Sequence, residues 1–129
     1  VQRDRVGIAR EFATTHHLYV VLKGHRTVVA TPEGHVSVNL TGNPGMATGG
    51  SGDVLTGMIA AWFAQLLDAE AACQLAVYLH GLAGDLSEAD EGAHAMTAGD
   101  IVAHLGDAVL ELTARQRRER DGDGRPKAS

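Results

Sequence analysis

Cysteine is all but missing from this chain: Cys73 stands alone among 129 residues. That excludes an intramolecular disulfide and a cysteine-based zinc site, and makes a reducing cytoplasm the expected compartment. Basic residues are outnumbered, 11 Lys and Arg against 16 Asp and Glu, for a net charge of -5 and a pI near 5.7. Such a balance argues against a nucleic-acid or anionic-membrane surface. No run of about 18 apolar residues occurs, so no hydrophobic membrane span is expected, and the opening residues carry no signal-peptide pattern. Aromatics make up 4% of a chain that is 44% apolar, so its core must be built from Ala, Leu and Val. Two phosphate-binding patterns are also missing. There is no GxxxxGK[ST], and a GxGxxG beginning at Gly50 would need a glycine where Leu55 stands. His25, His35, His94 and His104 show no metal-ligand spacing, and no residue is assigned to a metal.

What is abundant is glycine, and much of it is in one place. "GNPGMATGGSGDVLTG" (42–57) holds six glycines and one carboxylate, with no basic residue, and runs into an apolar stretch. A helix start offers unpaired N–H groups and the positive end of the helix dipole. Glycine lets such a backbone approach a ligand closely. Gly49, Gly50 and Gly52 thus form a candidate anion cradle, most naturally for phosphate, with the Ser51 hydroxyl as a further donor. Asp53 is then out of place beside a phosphate. It reads either as an ordinary helix cap or as a base that takes the proton of a substrate hydroxyl attacking phosphorus. A cap does not require four glycines between 45 and 52, which favours the base. Lys23 and Gly24 in "LKGHRT" end an apolar run, where α/β sheets face their ligand crevice. Lys23 is read evenly as a phosphate contact or as a strand-end lysine that snorkels to solvent.

The rest of the chain supplies a scaffold. Residues 2–15 place Val6, Ala9, Phe12 and Ala13 on one helix face. "LYVVLK" (18–23) reads as a strand buried on both faces of a parallel sheet. "TVVA" and "HVSVN", joined by "TPEG", read as a β-hairpin. A buried apolar helix is expected from Asp53 to about Leu67, and a second over 69–89 with Ala72, Leu75, Ala76, Leu79, Leu82 and Ala83 inward. A third is expected over 96–114, with Thr97 and Asp100 as a capping box. From Gln116 the chain is charged and without apolar period, so 116–129 is expected to be disordered. The first residues already read as a helix interior, so 1–115 is expected to be the C-terminal part of an α/β domain whose N-terminal half lies upstream. His80 and Asp85 are read as buried polar groups supporting the glycine loop, Met46 as a pocket or core side chain, Met58 and Trp62 as core, and Arg115, Arg117, Arg118 and Arg120 as a solvated helix end.

"VVLKGHRTVVATPEG", "NLTGNPGMATGGSGDVLTGMIAAWFAQ" and "AVYLHGLAGDLSEA" together resemble the C-terminal half of the ADP/ATP-dependent NAD(P)H-hydrate dehydratases, of the ribokinase-like superfamily. The resemblance covers residues 2–112. The NPGMATGG-x-GDVLTG block is specific to this branch, whereas a bare GxGD is shared with sugar and vitamin-precursor kinases. The resemblance implies a three-layer α/β/α sandwich and repair of NADHX and NADPHX, the hydrated nicotinamide cofactors. A nucleotide, ADP or ATP with Mg2+, would phosphorylate the hydrate hydroxyl, and loss of phosphate would restore NADH or NADPH. Carried over, Lys23, Gly24, His25, Arg26 and Thr27 match a nucleotide-binding segment, and Gly52 a nucleotide-contacting glycine. Asp53 matches the catalytic and substrate-contacting aspartate, and Asn43 lies near the phosphates. Ser51 stands where many members have Thr, and the hydroxyl survives. A homo-oligomer and an upstream epimerase domain are further implications. Two alternatives stay open: a kinase of the same superfamily that stops at the phosphorylated product, or an inactive piece that needs its other half.

Overall fold

The computed structural model describes residues 2–92 and 95–122. The elements run α1 (Gln2–His16), β1 (Val20–Leu22), β2 (Val28–Ala30), β3 (Val36–Val38), a 3-10 turn (Pro44–Met46), α2 (Ser51–Leu66), α3 (Ala69–Glu91), α4 (Ala98–Ala103) and α5 (Leu105–Gly122).

The strands form an antiparallel meander, β1-β2-β3, with Leu22 opposite Val28 and Ala30 opposite Val36. β1 is therefore not part of a parallel sheet within the described residues. The five-residue turn 23–27 returns it directly against β2. Strand alternation sorts the side chains onto two faces. Val28 and Ala30, with Val20, Leu22 and Val36, pack on Ala9 and Ala13 of α1. Val29 and Val21 pack on Leu55 of α2 and Cys73, Ala76 and Val77 of α3. The sheet is thus sandwiched between helices, the α/β/α layering expected, and full burial of a valine such as Val28 or Val29 contributes roughly 1.5–3 kcal/mol. β1 is only half-buried, because it lies at the edge of this sheet. Thr31 closes the second turn: its N–H donates to the His35 carbonyl at 2.9 Å, and its hydroxyl accepts the His35 N–H at 3.1 Å.

Helix α3 is the spine. Leu79, Leu82 and Ala83 join Met96, Ile101 and Ala108 in a second core. Its start is capped by Asp68, which accepts the Ala71 N–H. Four details differ from expectation. Phe12 is half-exposed and lies on the His16 ring rather than in the core. Helix α2 is buried only at Ser51 and Leu55, with Phe63 and Leu66 open, because the sheet, α3 and α4 cover just one side of it. The third helix is two helices. The Thr97–Asp100 capping box starts α4, but His104 leaves helical geometry at φ -96°, ψ 1° and breaks the run before α5. Finally, α5 continues to Gly122. Good helix formers and the Glu111–Arg115 and Glu111–Arg118 pairs extend it through the first part of the stretch expected to be disordered. Residues 123–129 lie outside the described residues.

Candidate active site

Two loops meet at the ends of the strands. The first is the 23–27 turn between β1 and β2. The second runs from β3 to α2. Its early part is fastened to α3 by polar side chains. Asn39 Nδ2 donates to the Val77 carbonyl at 3.0 Å, and the Thr41 hydroxyl donates to the Tyr78 carbonyl at 2.9 Å. Asp85 then accepts the Gly42 N–H on one carboxylate oxygen and Asn43 Nδ2 on the other, each at 3.0 Å. Asn43 Oδ1 in turn accepts the Gly45 N–H and starts the 3-10 turn. Gly42, at φ 108°, passes close over Gly81. A Cβ on Gly84 would run into Met46, so the two α3 glycines form a seat for this loop.

The loop ends at the start of α2. Gly50 is the cap residue, with φ 88°, and no side chain caps the helix there. The Ser51 N–H turns back to the Thr48 carbonyl at 3.3 Å and the Val54 N–H to that of Gly50, which leaves the N–H groups of Gly52 and Asp53 to a ligand or solvent. Asp53 is not the cap. It sits in the first turn, exposed. Ser51 is buried against His80, whose Nε2 lies 3.0 Å from the Ser51 carbonyl and 3.3 Å from its hydroxyl. The short contact to a carbonyl places the proton on Nε2. Burial pushes the imidazole below its usual range, the Lys23 ammonium acts in the same direction, and the Ser51 carbonyl opposes both.

The two loops touch through Lys23. A Cβ on Gly52 would stand 3.1 Å from Lys23 Nζ, so the ammonium rests over the glycine that precedes Asp53. Between the loops lies a cleft of 420 Å³. Lys23, Gly24, His25, Arg26 and Thr27 line one side, Asn39–Asn43 and Met46 the other, with Ser51 and His80 at its inner end. Gly49, Gly50, Gly52 and Asp53 are not part of its wall; they stand on the first turn of α2 or just before it. A cation held over a helix N-terminus beside a cleft is suited to a polyanion such as a phosphate chain.

Of the polar groups that shape this site, His80 and Asp85 were legible as supports for the loop. They do not touch each other but hold its two ends. Arg5, Asn39 and Thr41 were missed. Arg5 comes from α1 and donates to four carbonyls of the 23–27 turn and its approach. The HGLAGD stretch held the one available signal, with two glycines three apart on a helix face and an aspartate beside them. Among the described residues no three of His, Cys, Asp and Glu come together as a metal cage, and His94 lies outside them.

The family model of the NAD(P)H-hydrate dehydratases matches residues 1–106 of this chain. The bifunctional NAD(P)H-hydrate repair enzyme Nnr of Moorella thermoacetica is 50% identical over 105 residues, 81% of this chain and 20% of that protein. The ADP-dependent (S)-NAD(P)H-hydrate dehydratase of Neisseria meningitidis is 46% identical over 103 residues, 78% of this chain and 34% of that one. The ADP/ATP-dependent NAD(P)H-hydrate dehydratase from Bacillus subtilis, co-crystallised with ATP/Mg2+, superposes with a TM-score of 0.80 at 39% identity. That match covers 85% of this chain and 40% of the other. The chain thus spans between a fifth and two fifths of the length of these relatives.

Proposed function

This chain belongs to the NAD(P)H-hydrate dehydratase family, and from that premise we propose that the protein uses ADP or ATP to return NADHX and NADPHX to NADH and NADPH. The observation that carries the reading is Lys23 Nζ resting over Gly52, one residue before Asp53. That arrangement brings a cation over the first turn of α2, beside the N–H groups of Gly52 and Asp53 and the Asp53 carboxylate.

In the proposed reaction the nucleotide enters along Lys23, Gly24, His25, Arg26 and Thr27, and its phosphates reach the Gly49–Gly52 backbone with Asn43 nearby. Lys23 and the α2 N–H groups draw charge from the transferring phosphoryl group. Asp53 takes the proton of the hydrate hydroxyl as that oxygen bonds to phosphorus and the bond to the leaving nucleotide breaks. With ADP as donor, AMP leaves. The carbon–oxygen bond then breaks and phosphate departs, the neighbouring ring carbon releases a proton to solvent, and the electron pair of that C–H bond becomes the restored ring double bond. Magnesium fits as an ion carried on the nucleotide phosphates, since no protein cage stands among the described residues, and it would neutralise phosphate charge. Asn43 is the loop's candidate residue near it.

No helix of the described residues is long and apolar enough to cross a membrane. The composition agrees with a cytoplasmic setting, and the likeness to a bifunctional repair enzyme supports an epimerase domain upstream. Exposed apolar residues on α2 agree with homo-oligomer formation. The test is an assay of the complete protein with NADHX, magnesium and either nucleotide, followed at the NADH absorbance band. Recovery of that band supports the dehydratase. Nucleotide turnover without recovery points to a superfamily kinase instead.

A further inference from the structure

We propose that Arg5 is the positioning residue of the nucleotide turn: its guanidinium, reaching from α1, orients the peptide planes of residues 22–27 toward an anion. The inference deepens the nucleotide reading above and rests on it.

Arg5 Nη1 donates to the His25 carbonyl at 2.7 Å and to that of Arg26 at 3.3 Å. Its Nη2 donates to the carbonyls of Leu22 and Lys23, each at 3.0 Å. Four carbonyls from both sides of Gly24 therefore converge on one cation. Without it their dipoles would repel, so the guanidinium is the reason the turn can close in this shape. Two further features bear the mark of that closure. Arg26 sits at φ 62°, a left-handed conformation that is strained for a residue with a Cβ. A Cβ on Gly24 would come 2.7 Å from Arg5 Nη2, so the guanidinium lies close against residue 24 and a side chain there would displace it.

The consequence for a ligand follows from peptide geometry. No peptide bond here is cis, and a trans peptide points its N–H opposite to its carbonyl. With the carbonyls of Leu22, Lys23, His25 and Arg26 drawn to Arg5, the N–H groups of Lys23, Gly24, Arg26 and Thr27 are turned away from it. Those four residues all line the cleft. Arg5 thereby converts the turn into a set of directed donors without touching the ligand. Lysine cannot replace it, because an ammonium is a single point and lacks the planar fork that spans four acceptors.

The test titrates the complete protein and its Arg5→Ala and Arg5→Lys variants with ADP and with ATP in magnesium, with circular dichroism alongside. Arg5→Ala is expected to weaken nucleotide binding by about tenfold or more, the scale of losing a charge-assisted hydrogen-bonding group, at unchanged helix content. Arg5→Lys is expected to weaken it too. Added guanidinium is expected to restore binding to Arg5→Ala but not to a Lys23→Ala control. Should Arg5→Ala fail to fold, Arg5→Lys keeps the charge and stem, and full affinity there overturns the proposal. Undiminished affinity in Arg5→Ala, or a loss that guanidinium does not repair, overturns the positioning role while leaving the nucleotide reading in place. A wild-type protein that binds neither nucleotide overturns that reading, and this inference with it.

Discussion

Gly81 and Thr41 are in backbone contact: a Cβ on Gly81 would stand 2.7 Å from the Thr41 carbonyl carbon. Contact this close means that α3 and the β3–α2 loop cannot accept even one methyl group between them. Gly81→Ala is therefore expected to push the loop outward, strain the Thr41–Tyr78 hydrogen bond and cost about 1–3 kcal/mol. Gly84→Ala meets the flexible Met46 side chain instead of backbone, so it should cost less. Urea unfolding of the two variants ranks them. Equal costs would show that the loop is not seated as tightly as the contact implies.

Asp53 stands exposed in the first turn of α2, where Gly50 and not Asp53 is the cap residue. Its removal should leave the fold alone. Asp53→Asn in the complete protein is expected to lower turnover by about 10²–10⁴-fold, the range for loss of a general base, with nucleotide affinity largely kept. Turnover near the wild-type level would remove Asp53 from that role.

Lys23 separates two readings that its sequence position left even. The ammonium rests over Gly52 instead of pointing only to solvent, so Lys23→Ala is expected to weaken ADP and ATP binding by roughly tenfold to a hundredfold. Calorimetric titration decides it. An unchanged affinity would make Lys23 a strand-end lysine and nothing more.

The elements that the sequence made legible are those whose signal is local. The α1 and α3 faces follow from apolar spacing, the 28–38 hairpin from Pro32 and Gly34, and the α4 start from the Thr97–Asp100 box. The misread features depend on what each segment meets in space. The apolar sequence of α2 suggested full burial, but the sheet, α3 and α4 cover it on one side only. Nothing local in "LYVVLK" says that its partner is the antiparallel β2. The break at His104 arises because its ring reaches the Asp100 carbonyl and Asp90, a contact across fourteen residues. What was legible of the candidate site is where Lys23, Asn43 and Ser51 fall, on the wall of the cleft, whereas Gly49, Gly50, Gly52 and Asp53 lie outside that wall. The site's supports at Arg5, Asn39 and Thr41 were not legible, because each is an ordinary polar residue until the fold gives it a carbonyl to meet.

Two histidines should give the stability of the protein opposite slopes on either side of about pH 6.5, the ordinary histidine value. His80 is held neutral in the fold, chiefly by burial. The unfolded chain then binds the extra proton, so the stability from His80 is complete above about pH 6.5 and is lost as pH falls below it. His104 is the reverse. Its Nδ1 lies 2.7 Å from the Asp100 carbonyl and its Nε2 2.9 Å from the Asp90 carboxylate. Only the imidazolium can donate to both, and its pKa is raised, first by the Asp100 carbonyl and then by Asp90. Its contribution is complete below about pH 6.5 and is lost as pH rises through the folded-state value. Urea unfolding between pH 5 and 8 reads both slopes, above the range where most carboxylates titrate. His80→Gln can still donate to the Ser51 carbonyl but cannot titrate, so it should flatten the acid side alone. His104→Gln should flatten the alkaline side alone. A His80→Gln variant that loses stability toward pH 5 as steeply as the wild type would show that His80 is not held neutral against Ser51, and that the start of α2 does not depend on its protonation state.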